Sequence, residues 1–303
     1  MGDSTRSTLK HHQARTAYAV SLVVFLLGIG SAIASTNSDE QNQTRTPPPF
    51  SQTAETTAIT SVNAGDEGLE LSSRFSQNGN VYVEGVDWTL KTQSGEVIYH
   101  SLATTTDIKV QPGSYEVIAA YGTVKIDEAV NVPAQTKLSV NFVLNAGALR
   151  ILPRLNGLRG EQIESAAKIF ALNGPQNGKL ITTSHQPGQL IKLAAGSYRI
   201  ETQFADSNVV AVTDVDVKPG IMRSVDVDHH AGLAHFSVLH AAENIEWRVM
   251  PDQGDELALS NPSDPMAVLK PGHYTAEAKI GDHILKQSFV VEDGQVMDVV
   301  LAN

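Results

Sequence analysis

Asp226, Asp228, His229, His230 and His235, with His240 nearby, form the densest group of ionisable side chains in the sequence. Imidazole and carboxylate together suit zinc, copper or nickel. The spacing argues against such a site. His229 and His230 are adjacent on an extended segment, so they point to opposite faces. We read the group as solvated residues at a joint between two structural units. Asp214 and Asp216 alternate on one strand face, and we read them as a solvated face rather than an acid–base pair, which would also need a cleft. Trp88 and Trp247 could be ligand platforms, but each sits among alternating apolar residues and is assigned to a core. Tyr115, Tyr198 and Tyr274 are assigned to cores too, with hydroxyls reaching the sandwich edge to bond to backbone. Ser, His and Asp are plentiful, but no Gly-x-Ser-x-Gly elbow, His-Glu-x-x-His, P-loop or Gly-x-Gly-x-x-Gly occurs. The sequence thus nominates no catalytic, cofactor-binding or metal-ligating residue.

The elements carrying these residues are organised by a stretch that occurs three times. It reads Val110-Gln111-Pro112-Gly113-Ser114-Tyr115-Glu116-Val117, then Leu193-Ala194-Ala195-Gly196-Ser197-Tyr198-Arg199-Ile200, then Leu269-Lys270-Pro271-Gly272-His273-Tyr274-Thr275-Ala276. It reads as a tight turn delivering a strand, with Gly113, Gly196 and Gly272 expected at positive φ. The motif tyrosines are 83 and then 76 residues apart, and Trp88 and Trp247 each lie 27 residues before a motif tyrosine. That shared spacing argues for duplication. In the second unit the run Ile169-Phe170-Ala171-Leu172 stands where a Trp would be.

Each unit opens after a glycine, at Gly68, Gly147 or Gly232, on an alternating strand. Each is expected to close with a hairpin: Ala129 to Val132 with Leu138 to Leu144, Val215 to Val217 with Val225 to Val227, and Phe289 to Val291 with Val296 to Leu301. The fold expected is all-β, three tandem seven-stranded Ig-like or transthyretin-like β-sandwich modules over residues 65–146, 147–231 and 232–303. The joints are very short, so an end-to-end arrangement is expected. Residues 156–167 could hold a loop or a short helix.

Arg6, Lys10 and Arg15 precede an uncharged run from Ala17 to Ala34 that ends in Ala32-Ile33-Ala34. This reads as a secretory signal peptide over residues 1–34, or alternatively as a hydrophobic helix anchoring the chain through residues 17–34. Both readings export residues 35–303 to the periplasm or cell envelope. Residues 35–64 are polar, with Pro47-Pro48-Pro49, and are expected to be a disordered linker. The chain has no cysteine, which excludes disulfides and thiolate chemistry. Its net charge of -11 opposes binding to nucleic acid.

The segments Val110 to Ala119 and Leu269 to Ala278 resemble the strand entry of carboxypeptidase-regulatory-like, transthyretin-like β-sandwich modules. They are also similar to tandem repeats in the tails of some exported bacterial proteins with von Willebrand A domains. The resemblance implies spacers, adhesive parts or ligand-binding accessories. The Asp-x-Ser-x-Ser metal motif of a von Willebrand A domain is missing, so no metal-dependent adhesion is implied. The expectation is a non-enzymatic structural or binding module whose partner is an envelope protein or glycan; the alternative is an accessory protein binding a glycan, peptide or metal.

Overall fold

The computed structural model describes residues 52–80, 83–155, 158–159, 163–239 and 244–302. The expected signal peptide or anchor, most of the linker, and His240 lie outside them. No helix among the described residues is long and apolar enough to cross a membrane.

Apart from a short 3-10 turn at Gly174–Gln176, the described chain forms strands in three two-sheet sandwiches. In the first, strands β1 (Thr53–Ser61), β2 (Gly68–Arg74), β5 (Thr106–Lys109) and β8 (Thr136–Val143) form one sheet, in the order β1-β8-β2-β5. Strands β3 (Val86–Thr92), β4 (Val97–Ala103), β6 (Gly113–Tyr121) and β7 (Val124–Val132) form the other, in the order β4-β3-β6-β7. In the second, β9 (Ala146–Leu155) is flanked by β13 (Leu190–Ala194) and the short β10 (Leu158–Arg159) on one side and by β16 (Met222–His229) on the other. The facing sheet is β12 (Leu180–Ser184), β11 (Ser165–Ala171), β14 (Gly196–Phe204) and β15 (Val210–Val217), in that order. In the third, β20 (Met266–Leu269), β17 (Gly232–Val238) and β23 (Val296–Leu301) face β19 (Leu257–Ala258), β18 (Ile245–Pro251), β21 (Gly272–Ile280) and β22 (His283–Val291). Residues 156–167 hold no helix among those described: β10 folds back on β9 and β11 begins at Ser165.

Alternation explains the layers. Leu69, Leu71, Trp88, Leu90, Val117 and Phe142 fill the first core from both sheets. Leu149, Ile169, Leu193 and Ile200 do so in the second, and Phe236, Trp247, Val249 and Ala276 in the third. Each module has its own core, as expected of separate sandwiches.

Three expectations need correction. The linker does not extend to residue 64. Thr53–Ser61 is β1, paired antiparallel with β8 from Thr53 opposite Val143 to Ser61 opposite Thr136. Its residues are exposed or half-buried, so it is held by the backbone ladder and by the Arg74–Glu55 ion pair rather than by an apolar face. The closing pair of strands is not a hairpin. β7 lies beside β6 in one sheet, whereas β8 lies parallel to β2 in the other, and the second and third modules repeat this crossing. β7 and β8 thus bury their inner faces in the same core from opposite sheets.

The third correction concerns the motif. Gly113 and Gly196 are not at positive φ, and Gly272, at φ 159°, is extended backbone. The motif is instead a tyrosine corner. The Tyr115 hydroxyl donates to the Gln111 carbonyl at 2.7 Å, Tyr198 to Ala194 at 2.8 Å and Tyr274 to Lys270 at 2.8 Å. Each ring lies over the glycine two residues earlier. Burial pushes the Tyr198 hydroxyl up to about 12, so it stays a donor throughout the ordinary pH range.

Gly147 is one position where glycine is sterically required. A Cβ there would overlap the Lys218 carbonyl oxygen and lie 2.9 Å from that of Ile221. Gly147→Ala should therefore destabilise the second module by about 1–3 kcal/mol, the range for overpacking. At Gly113 an added Cβ would meet nothing closer than the Tyr115 ring at 3.9 Å. Gly113→Ala should stay within about 0.5 kcal/mol of the parent. Denaturant titration of the two variants side by side checks the contrast; equal losses would show that the motif glycine has a conformational role after all.

Candidate functional site

The residues that looked most chemical do not converge. His229 is 1% exposed, with Nε2 2.8 Å from Thr202 Oγ1 and its ring 4.6 Å from that of Phe204. Burial pushes its pKa down to about 4, so it is neutral at neutral pH. His230 points the other way, into solvent, where Nδ1 is 3.2 Å from Asp293. Asp226 is paired with Arg154 at 2.7 Å. Asp214 is held by a two-pronged Arg199 contact at 2.9 and 3.0 Å, which lowers its pKa, and Asp216 accepts from Ser197 at 2.7 Å. Among the described residues no three His, Asp or Glu side chains are grouped to hold a metal. Trp88 and Trp247 lie in cores, so neither is a platform.

What the structure does build twice is a joint. Strands β6 and β7 meet at Gly122, whose φ of 63° lets the chain turn back. This turn projects beyond the first module onto β13 of the second. Thr123 donates its backbone N–H to the Lys192 carbonyl at 3.1 Å. A Cβ on Gly122 would overlap Lys192, and the Lys192 ammonium sits 4.1 Å from the centre of the Tyr121 ring. Phe75 packs edge-on against Tyr121, with ring centres 5.5 Å apart, and closes over Gly220.

The corresponding turn in the second module, the longer segment 205–209 between β14 and β15, meets β20 of the third. Val268 donates to the Asp206 carbonyl at 3.1 Å, and Ser207 bridges Val268. Asp206, at φ 47°, accepts from the backbone and hydroxyl of Ser260, both at 2.8 Å. Asn208 completes the contact. Its Nδ2 donates to the Tyr274 hydroxyl at 3.0 Å and its Oδ1 accepts from Lys270 N–H at 2.9 Å, so the second module clasps the tyrosine corner of the third. Leu155, Phe204 and Val209 form an apolar cluster with Ala231, Leu233 and Val268 beneath this clasp. Short joints were legible in the sequence. The docking turns were not, because nothing local to Asp206 or Asn208 in the sequence points to a partner in the next module.

The model of the Rhizobiales growth-associated tandem repeat domain matches residues 238–302, in the third module. The match names a tandem repeat, not a carboxypeptidase-regulatory-like module. No curated protein matches the chain. Among solved structures, the chain is similar to the Bacillus anthracis TIE protein, at 16% identity and TM-score 0.25, over 78% of this chain and 50% of that one. It is also similar to a streptococcal ancillary pilin, at 10% identity and TM-score 0.26, over 78% and 98%. A putative cell adhesion protein from Bacteroides ovatus is similar at 9% identity and TM-score 0.29, over 51% and 91%. This chain thus spans half the length of the Bacillus anthracis protein.

Proposed function

We propose that this chain is an exported, non-enzymatic structural module of a bacterial cell envelope, a spacer that holds its partners at a set separation. The observation that carries the reading is the repeated joint. In both joints the turn after the motif strand bonds to the strand before the motif in the next module. A linker that merely connected modules would need neither the Lys192 contact nor the Asn208 clasp. Docked joints convert three small bodies into one element of fixed reach. The basic and apolar start of the sequence supports export, by a cleaved signal over residues 1–34 or by an anchor through residues 17–34. Placement of both Trp residues in cores favours the spacer over a glycan-binding accessory.

Fractionation of native cells, with pull-down of the tagged chain from the envelope extract, tests this reading. The expected result is recovery in the membrane or periplasmic fraction with an envelope protein attached. Full-length chain in the cytosol would overturn it. Intact mass decides the attachment: a mature chain starting at Ser35 indicates cleavage, and full-length chain in membranes indicates the anchor.

A further inference from the structure

The third module turns back at the corresponding place, with two residues between its strands as in the first module, and nothing in the described structure covers this turn. Counting from each motif tyrosine, Tyr121, Phe204 and Ile280 occupy the same position, six residues on. Tyr121 is 8% exposed and Phe204 2%, the one beneath the Lys192 side chain and the other within the cluster at the second joint. Ile280 is only half-buried. Leu239, just past the end of β17, is 62% exposed. The turn itself is preserved: Gly281 has φ 60°, against 63° for Gly122. A docking turn with its apolar flanks is therefore present and unoccupied among the described residues.

The matching socket is open at the other end of the array. Lys109, Lys192 and Val268 each directly precede the residue that opens a motif copy. Lys192 and Val268 receive the turn of the preceding module, and Lys109, on β5, receives nothing of that kind among the described residues. Strand β5 ends its sheet on the edge opposite β1, so the N-terminal strand does not obstruct it. The local frame is fixed. Glu67, 4% exposed, accepts from Gly65 N–H at 2.7 Å and Gln135 N–H at 2.9 Å, and its own carbonyl accepts from Val110. Lys109 is 74% exposed and bonded only to Asp66, at 2.7 Å, among the described residues.

Turn and socket also agree in charge. The first joint places Thr123 against Lys192; the free turn offers Asp282 at the Thr123 position, and the free socket offers Lys109 at the Lys192 position. We infer that the free turn of the third module, Ile280 to His283, docks onto the β5 edge of the first module in a second copy of this chain. The backbone N–H of Asp282 then donates to the Lys109 carbonyl, as Thr123 does to Lys192. The Asp282 carboxylate meets the Lys109 ammonium, and the Lys109 stem lies across Ile280, as the Lys192 stem does across Tyr121. Such a contact joins unlike surfaces, so copies add head to tail in an open series. It extends the spacer reading, because an array that continues from chain to chain has a reach set by the number of copies.

The chain has no cysteine of its own, so paired cysteines report this contact directly. Full-length chain carrying both Lys109→Cys and Asp282→Cys, oxidised mildly, should give a ladder of dimers and higher multimers. Either single variant should give no covalent multimers on a denaturing gel, because a head-to-tail contact never brings the same residue of two copies together. In sedimentation velocity of the cysteine-free chain, Asp282→Lys should weaken association at least tenfold, and adding Lys109→Asp should restore it. Circular dichroism confirms folding, since both positions are exposed. A double-cysteine variant without covalent multimers, equal covalent dimers from a single variant, or no rescue by the exchanged pair would each overturn the inference. None of these outcomes bears on the joints within one chain, which are tested separately by distance measurement.

Discussion

Trp88→Ala should destabilise the first module by about 3–5 kcal/mol, the range for deleting a large buried aromatic. Trp88 is fully buried on β3, meets Phe142 edge-on with ring centres 5.3 Å apart, and donates Nε1–H to the Ala103 carbonyl at 3.1 Å. Truncation therefore removes both the volume and a hydrogen bond. Trp247→Ala should cost a similar amount in the third module, where the indole is 4% exposed and packs on Phe236 at 5.9 Å. The two differ in the milder change to Phe. Trp247 Nε1 finds no acceptor among the described residues, so Trp247→Phe should lose less than Trp88→Phe. The chain has only these two Trp residues, one in each outer module, so the fluorescence of one reports its module while the other is mutated. Hydrogen exchange of β3 and β6 amides then tracks the first module in Trp88→Ala. A loss below about 1 kcal/mol at either site would mean that the indole is exposed.

Acid should weaken the second module specifically. His229 is buried against Phe204 and bonded to Thr202, and burial lowers its pKa from the ordinary 6.5 to about 4, partly opposed by the negative charge of Asp228. Between those values the unfolded chain binds a proton that the folded chain does not. Stability is therefore intact above about pH 6.5, falls as pH drops towards about 4, and levels off below. The full loss is roughly 3 kcal/mol, from about 1.4 kcal/mol for each unit of displacement. Urea titrations at a series of pH values should show this slope in the parent, and His229→Gln should flatten it. A parent whose stability is constant between pH 6.5 and 4 would show that the imidazole is charged and solvated.

The repeat was legible because duplication leaves a spacing, and the Trp and Tyr positions were legible because their alternating neighbours mark a core face. The opposed directions of His229 and His230 came from strand periodicity alone. Strand β1 was hidden for a physical reason. Thr53–Ser61 has no buried face, so it carries no apolar alternation, and its pairing is made by backbone groups common to every residue. The crossing from β7 to β8 was misread because Pro133-Ala134 suits a hairpin and a sheet-to-sheet crossing equally well. The tyrosine corner was half legible: the hydroxyl bond to backbone was expected, whereas the glycine was given a turn's conformation it does not have. The joints depend on Asn208 reaching Tyr274 across 66 residues of sequence, a pairing that no local pattern announces.

Docked turns that hold the modules at fixed separation are the centre of this picture. The most direct test is a spin-label distance measurement between Gln93→Cys and Gln253→Cys, corresponding exposed turns of the first and third modules, in dilute full-length chain. Fixed joints predict one narrow distance distribution, broadened by Asn208→Ala, which removes the clasp on Tyr274 and Lys270. A broad or multiple distribution in the parent, unchanged by Asn208→Ala, would contradict them.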